Sequence, residues 1–521
     1  MKRMRHGVFW GPFLLMVLVL GMSLYDSEKT MYFASKSNRW LLDNLSIFFS
    51  ICACLMVITV IYILLSPIKN IKIGGEDAKP IMGYFSWGAV TLCTTIAAGL
   101  MFWGVAEPLI HYKGIPSFLN IHSGSEEAAI FSISTMYLHW TIIPYSIYSV
   151  PSLLFALSYY NLKNELSLSS LLKPILGKRC SKRFSNIIDS LCLYTLSTGM
   201  IAALGTGILA ISGGIPYMFT LPDYINGDIL RIIVGLSIAI VFTISAISGV
   251  TKGIKILSNI NILLFLLIMI YLVIFGFSKD IFNYTLGGVG YYISNFFKNL
   301  IPQKEIFTNS WYQSWTVYYW GNWLAWAPVT AIFLGKIARG RTIREFMIVN
   351  FIFPCIFSGI LVSILGGTSI GLESMTGKIY DLMSQTGIEV VAFEIFKELK
   401  FGYLIMPLYM IMIFISFVTA ADSNISVMGA MSCKDLSIED SESPWYFKLL
   451  WGGVIGIITV IMINTSGIEG LKMISNLGAI PALILEFGVF LSIIKVINSL
   501  KEKKVEKTSV INIFENSEII E

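Results

Sequence analysis

The chain has 521 residues, 55% apolar and 13% charged, with a formal net charge of +5 and a mean hydropathy of +0.74. That hydropathy excludes an ordinary soluble domain. Segments of about 20 apolar residues, each able to cross a bilayer as a helix, recur at 8–25, 45–66, 86–110, 128–160, 188–213, 229–249, 256–276, 309–335, 345–366, 402–432, 446–464 and 474–496. The fold class read from them is an all-α polytopic membrane protein of twelve transmembrane helices, with no room for a separate soluble domain.

The N-terminus, Met1 to His6 followed by an apolar run, has the look of a signal peptide. No small-residue cleavage site follows, and the later spans need this one for parity, so it is read as span 1. Of the 37 Lys and Arg, 25 fall in the gaps on one side, from Lys2 and Arg3 through Lys178 and Arg179 to Lys503 and Lys504. By the positive-inside rule both termini are cytoplasmic, in the inner cell membrane. The net charge follows from that topology and needs no nucleic-acid partner. The seven cysteines show neither metal-site spacing nor a disulfide framework. His139, beside Trp140, reads as a hydrogen-bonding group within its helix and not as a ligand.

Spans 1 and 2 carry no intramembrane charge. Span 3 differs: Cys93 to Gly99 is small and hydroxyl-rich, and Phe102-Trp103-Gly104-Val105-Ala106-Glu107-Pro108 follows. Small residues allow close helix packing. A carboxylate inside a membrane calls for a function or a buried partner; Glu107, near the span end, is read as structural. In span 4, Trp140, Pro144 and Tyr148 share a helical face at steps of four, with Tyr145 turned further round. Residues 279–304 mix six aromatic side chains with polar ones and read as an interfacial amphipathic helix on the outer face.

Span 8 is the most informative stretch. Residues 315–328 hold Trp315, Trp320, Trp323 and Trp326, the last three at a spacing of three. Membrane tryptophans usually form interfacial belts, but a belt does not need four in a row leading into Pro328. Their faces attract a desolvated cation by about 0.5–2 kcal/mol each and suit a quaternary ammonium group, which has charge but no hydrogen to donate. Tyr319-Trp320-Gly321 before Ala327-Pro328 echoes Phe102-Trp103-Gly104 before Glu107-Pro108. Five spans run from 3 to 7 and five from 8 to 12, the arrangement of an inverted-repeat transporter. The organisation read is two N-terminal spans with a cytoplasmic linker (1–85), a first five-helix repeat (86–278), the interfacial helix (279–307), a second repeat (308–497) and a cytoplasmic tail (498–521). The run from Lys336 to Arg344 is read as an anchor for the loop after span 8, on lipid headgroups or neighbouring acids.

FWGVAEP in span 3, HWTIIPYSIY in span 4, WTVYYWGNWLAWAP running into FLGKIARGRTIREF in span 8, and VTAADS at 418–423 resemble the betaine/carnitine/choline transporter (BCCT) family, in order across about residues 85–430. The resemblance implies a LeuT-type inverted repeat in spans 3–12, alternating access and a homotrimer. It places the substrate cage at Trp140 and Tyr148 of span 4 and Trp323 of span 8, with Trp320 and Trp326 as further aromatic positions on the cytoplasmic and access side. Tyr145 and Asn322 stand where the family commonly has tryptophan, and they favour a more polar or differently shaped substrate, or reflect drift in a roomy pocket. Thr94 and Thr95 offer hydroxyls where sodium-coupled betaine carriers have glycines; only Gly99 remains.

No cofactor is expected other than sodium as a coupling ion. The family's sodium site between spans 3 and 10 would use carbonyls near Cys93 and Ile96, together with Ser416 and Thr419, but Ala420 removes one hydroxyl. A second site is lost at Leu196 and Met200 unless Thr195, Ser197 and Thr198 supply it through a one-residue slip. Sodium-independent exchangers of the family carry an arginine where this chain has Asn261. Sodium-linked uptake of a small quaternary ammonium compound such as glycine betaine, carnitine or choline is the reading preferred, with cation-independent exchange of the carnitine/butyrobetaine type kept open. An enzyme is disfavoured because no nucleophile–base pair or metal cluster is seen in the spans, and a channel because the aromatic residues would obstruct a pore. The short tail with its glutamates argues against strong osmosensing.

Overall fold

The computed structural model describes residues 4–247, 251–434 and 443–504, apart from the side chains at 97, 98, 251–253 and 501–504. Among these residues the protein is helical, with two isolated β-bridges, Met4 to Cys433 and Lys72 to Thr342. The main helices are α1 His6–Tyr25, α2 Ser27–Leu65, α3 Tyr84–Thr95, α4 Ala97–Lys113, α5 Glu126–Trp140, α6 Ile142–Ala156, α7 Lys182–Met218, α8 Gly227–Ile247, α9 Thr251–Phe275, α10 Ser278–Leu300, α11 Tyr318–Ile337, α12 Phe353–Thr376, α13 Gly402–Met431 and α14 Trp445–Lys504. Asp26 and Ser125 cap α2 and α5, their side chains accepting from Lys29 N and Ala128 N, which satisfies amides a helix start leaves open.

Nine described helices are long and apolar enough to cross a membrane, and α3 with α4 makes a tenth as one bent span. The other two of the twelve spans have physical reasons for escaping a hydropathy test. Helix α11 is too rich in tyrosine and tryptophan to score as strongly apolar. Helix α14 runs through Gly467, whose φ of 56° and ψ of −152° are non-helical, so it is two helices joined at a kink. Glycine suits that backbone because it has no Cβ to clash at positive φ.

Two expectations need adjustment. Helix α2 begins at Ser27, well before the apolar run at 45. Span 4 is not one continuous helix: Thr141, at φ −118° and ψ −103°, separates α5 from α6. Helix α10 covers the amphipathic stretch and packs on α5 and α12, its Gly287 and Gly288 lying against Ile130 and Ile133. The reading of the tail lies outside the described residues from 505 onward.

The loop after span 8 is clasped to the loop after span 2. Ile73 N donates to Arg341 O at 2.9 Å, Gly340 N to Ile73 O at 2.9 Å, and Ile343 N to Ile71 O at 3.0 Å. The Arg341 guanidinium lies 4.0 Å from the Tyr84 ring centroid and 5.0 Å from that of Trp87, and its Nη2 donates to Met82 O at 2.6 Å. Within the basic run, Arg341 thus faces aromatic rings and a carbonyl, with Glu345 3.9 Å away.

Candidate substrate cavity and the carboxylate behind it

Helices α4, α6, α7, α11 and α13 and the ends of α3 and α5 surround a cavity in the middle of the bundle, walled by Trp140, Tyr148, Tyr319, Trp323, Trp326 and Phe417 among others. The break at Thr141 shapes it. Trp140 closes α5, Tyr148 lies in the second turn of α6, and both reach the same space across the break. The rings meet edge to face. Trp140 and Trp323 have centroids 4.9 Å apart at 73°, and Tyr148 and Trp323 are 6.2 Å apart at 88°. Tyr319 stacks on Trp323 at 5.6 Å and 24°. Such pairs hold one another's orientation and contribute about 0.5–1.5 kcal/mol each beyond area burial.

Of the residues singled out in the sequence, Trp140, Tyr148, Asn322, Trp323, Trp326, Thr94 and Thr95 line this cavity, as does Ile96. Asn322 Oδ1 accepts from Ser475 Oγ at 3.1 Å. Thr95 Oγ1 donates back to Thr91 O at 2.8 Å. Two named residues lie outside the lining. Tyr145 turns toward α12, where its hydroxyl is 3.0 Å from Ser358 Oγ. Trp320 is fully buried, and its ring centroid is 6.0 Å from that of His139. A helix turns about 100° per residue, so a spacing of three drifts round the axis and cannot bring every tryptophan to one wall.

Tyr319 was missed, although it lies four residues before Trp323 and so on the same helix face. So were Trp103, Tyr318 and Phe417, all on the lining, where Met200, named only as a lost sodium position, also stands. Glu107, read from the sequence as structural, is fully buried. Its Oε2 accepts from Trp140 Nε1 at 2.9 Å and from the Tyr319 hydroxyl at 2.5 Å. Its Oε1 lies 2.7 Å from His139 Nδ1 and 3.2 Å from His111 Nε2. His139 Nε2 meets Thr316 Oγ1 at 3.1 Å, and His139 O accepts from Trp323 Nε1 at 2.9 Å.

Glu107, His111 and His139 form a group whose ligand atoms all lie within 4.8 Å of one another, close enough to hold a metal ion. Both imidazole nitrogens are, however, at hydrogen-bond distance from a single oxygen, and Oε2 already receives two hydrogens. The chemistry of this donor set is that of a carboxylate gathering N–H and O–H groups.

The residues named for sodium fall beside the cavity. Asn261 Nδ2 reaches Ser416 Oγ at 2.7 Å and Cys93 Sγ at 3.5 Å, and Cys93 Sγ reaches Ser258 O at 3.7 Å. Asn261 Oδ1 and Ser258 Oγ are buried without a hydrogen-bond partner. Thr419 Oγ1 donates to the carbonyls of Ile415 and Ser416 at 2.9 and 3.0 Å. In α7, the hydroxyls of Thr195, Ser197 and Thr198 likewise return to their own helix.

The sequence profile described as "BCCT, betaine/carnitine/choline family transporter" matches residues 7–503. The chain belongs to the betaine/carnitine/choline transporter family. Glycine betaine transporter 1 of Vibrio parahaemolyticus serotype O3:K6 is 28% identical over 430 residues, covering 81% of this chain and 80% of that protein. The ectoine/hydroxyectoine transporter of Virgibacillus pantothenticus is 29% identical over 482 residues, 92% of each chain. Among solved structures, a Na+-coupled sialic acid symporter in a substrate-bound, outward-open state matches with a TM-score of 0.50 at 15% identity, covering 92% of this chain and 96% of that one. The likeness to the symporter is one of fold. This BCCT transporter is a twelve-span, multi-pass membrane protein with LeuT-type inverted five-helix repeats in spans 3–12.

Proposed function

We propose that this transporter moves a quaternary ammonium compound by alternating access, holding the cation against Trp140, Tyr148 and Trp323. One observation carries the reading: three edge-to-face rings wall a buried cavity whose described lining contains no Asp, Glu, Lys or Arg. A cation that can neither donate nor needs a carboxylate contact is the ligand such a wall selects. Glycine betaine, carnitine and choline are the candidates, and a glycine betaine carrier among the relatives supports them. Thr94, Thr95 and Asn322 supply the polar contacts for the rest of the molecule. Trp326 completes the aromatic wall, and Tyr145 and Trp320 support it from behind.

Sodium is the proposed coupling ion. The reading is supported by Ser416 Oγ and by Asn261 Oδ1 and Ser258 Oγ, the last two buried without a hydrogen-bond partner, which are oxygens of the kind a hard cation takes. The second reading, exchange without a cation, is favoured by the commitment of Thr419 to its own helix and by Ala420. The placement proposed is the inner cell membrane with both termini cytoplasmic, on the distribution of Lys and Arg, and the assembly proposed is a homotrimer. The domain boundaries at 85, 278, 307 and 497 belong to this reading, as does a transport role without catalysis.

The test is intrinsic tryptophan fluorescence of purified protein titrated with glycine betaine, carnitine, choline and ectoine, in sodium and in potassium. Saturable quenching by a quaternary ammonium compound, tighter in sodium, is expected. Equal affinity in the two buffers would favour the exchanger. A response to ectoine alone would overturn the quaternary ammonium assignment.

A further inference from the structure

We propose that Glu107 is the anionic anchor of the cage: one buried carboxylate that fixes two cavity rings through their own hydrogens and sets its charge behind them. This rests on the quaternary ammonium reading above and adds to it the group that makes the aromatic wall attractive to a cation.

The argument begins with the donors. Trp140 Nε1–H and the Tyr319 hydroxyl both end on Oε2, at 2.9 and 2.5 Å. An indole N–H can only donate, and the two hydrogens use the lone pairs of that oxygen. Among the described residues, Oε1 faces the imidazole nitrogens of His139 and His111, at 2.7 and 3.2 Å. The cluster therefore presents four ring or hydroxyl groups to one side chain that accepts on both oxygens. These groups come from three helices: Glu107 and His111 from α4, His139 and Trp140 from α5, and Tyr319 from α11.

Position is the first consequence. Two of the rings on the lining, Trp140 and Tyr319, are pinned directly. The third, Trp323, donates to the carbonyl of His139, whose ring is itself on Glu107. Glu107 does not line the cavity, so it acts through these rings as a positioning residue.

Charge is the second consequence. A carboxylate that accepts from an indole N–H and a phenol O–H pushes electron density into both ring systems, deepening the negative face that a cation meets. Its own field adds to this in a site where little water is present to screen it. A purely structural buried acid would hold the rings equally well for a neutral ligand. An anionic anchor discriminates by charge.

The experiment uses that difference. Binding to the full-length protein is measured for two matched pairs: choline against tert-butylethanol, and glycine betaine against the anion of tert-butylacetic acid. In each pair a carbon replaces the ammonium nitrogen and shape is kept. In wild type the ammonium member is expected to bind more tightly. In Glu107→Gln the preference should fall by about tenfold, equivalent to ~1.4 kcal/mol, with tert-butylethanol changing little.

Should Glu107→Gln fail to fold, Tyr319→Phe decides the matter, since it keeps the carboxylate and removes one ring's link to it. A reduced preference of about two- to fivefold is then expected. An unchanged preference in the folded variants, or an equal loss of both members of a pair, would overturn the anchor role while leaving the cage reading intact. A wild type with no preference for the ammonium member would overturn the cage reading itself and the anchor with it.

Discussion

The ammonium of Lys472 stands 4.5 Å from the ring centroid of Trp315. Trp103 and Tyr318 lie 5.2 and 5.3 Å from the same nitrogen, and both also line the cavity. Glu469 Oε1 is 3.3 Å away. A primary ammonium thus fills an aromatic box that shares two walls with the cavity. Its charge opposes an arriving cation by an amount that Coulomb's law puts at about 2 kcal/mol for a pair roughly 8 Å apart at an effective dielectric of about 20, less what Glu469 offsets. Lys472→Met is expected to raise the association rate of the ammonium substrate by about two- to tenfold at low salt, read by stopped-flow quenching. An unchanged rate would show that Lys472 stands off the entry route.

Trp323 contributes a ring to the cavity wall and an N–H to His139 O. Trp323→Ala is expected to abolish measurable substrate binding, while Trp323→Phe, which keeps a ring and loses the bond, should weaken it by about tenfold. Fluorescence is compromised by removing a tryptophan, so radiolabelled binding is the measurement, with size-exclusion chromatography to confirm folding. Full affinity in the alanine variant would remove Trp323 from the cage.

At 2.7 Å from Ser416 Oγ, Asn261 borders the oxygens proposed for sodium. Asn261→Arg places a fixed charge where the ion would rest and is expected to make substrate binding independent of sodium. Ser416→Ala is expected to raise the sodium concentration needed for half-maximal binding several-fold, in line with the loss of one oxygen from a small coordination shell. Neither effect is expected if the wild type is a cation-independent exchanger, in which sodium has no influence to remove.

Gly340 has a φ of +77°, and a Cβ built on it would lie 2.4 Å from the Lys79 carbonyl carbon. The loop clasp passes through this residue. Gly340→Ala is expected to destabilise the protein by about 1–3 kcal/mol, seen as a lower Tm in detergent. Gly453, inside α14 with open space around its Cβ position, is the control. There alanine is expected to stabilise by about 0.5–1 kcal/mol.

Spans made of apolar side chains were legible because length and hydropathy alone report them, and Trp140, Tyr148 and Trp323 were legible as cavity-lining rings because large aromatic side chains stand out within apolar spans. What escaped depends on distance in the chain. Glu107 meets Trp140 and Tyr319 across 33 and 212 positions, and no local pattern carries such a meeting; a carboxylate near the end of an apolar run looks like an edge. The break at Thr141 had a signal that was not used: Pro144 falls in the first turn of α6 and has no N–H to give the carbonyl of Trp140. Trp320 was grouped with the cage on spacing and Tyr145 on the resemblance, yet the turn of the helix carries one into the core and the other toward Ser358.

That break has a cost and a use. In an unbroken helix the carbonyl of His139 would take the amide of Ile143, four residues on. With the chain turned aside at Thr141, the carbonyl receives Trp323 instead. A healed helix would also need Pro144 replaced, since proline has no N–H for the carbonyl of Trp140; it would make span 4 sturdier and evict the tryptophan from its socket. Selection for heat resistance alone, acting on this turn, would therefore yield a tougher protein with a looser grip on its cargo.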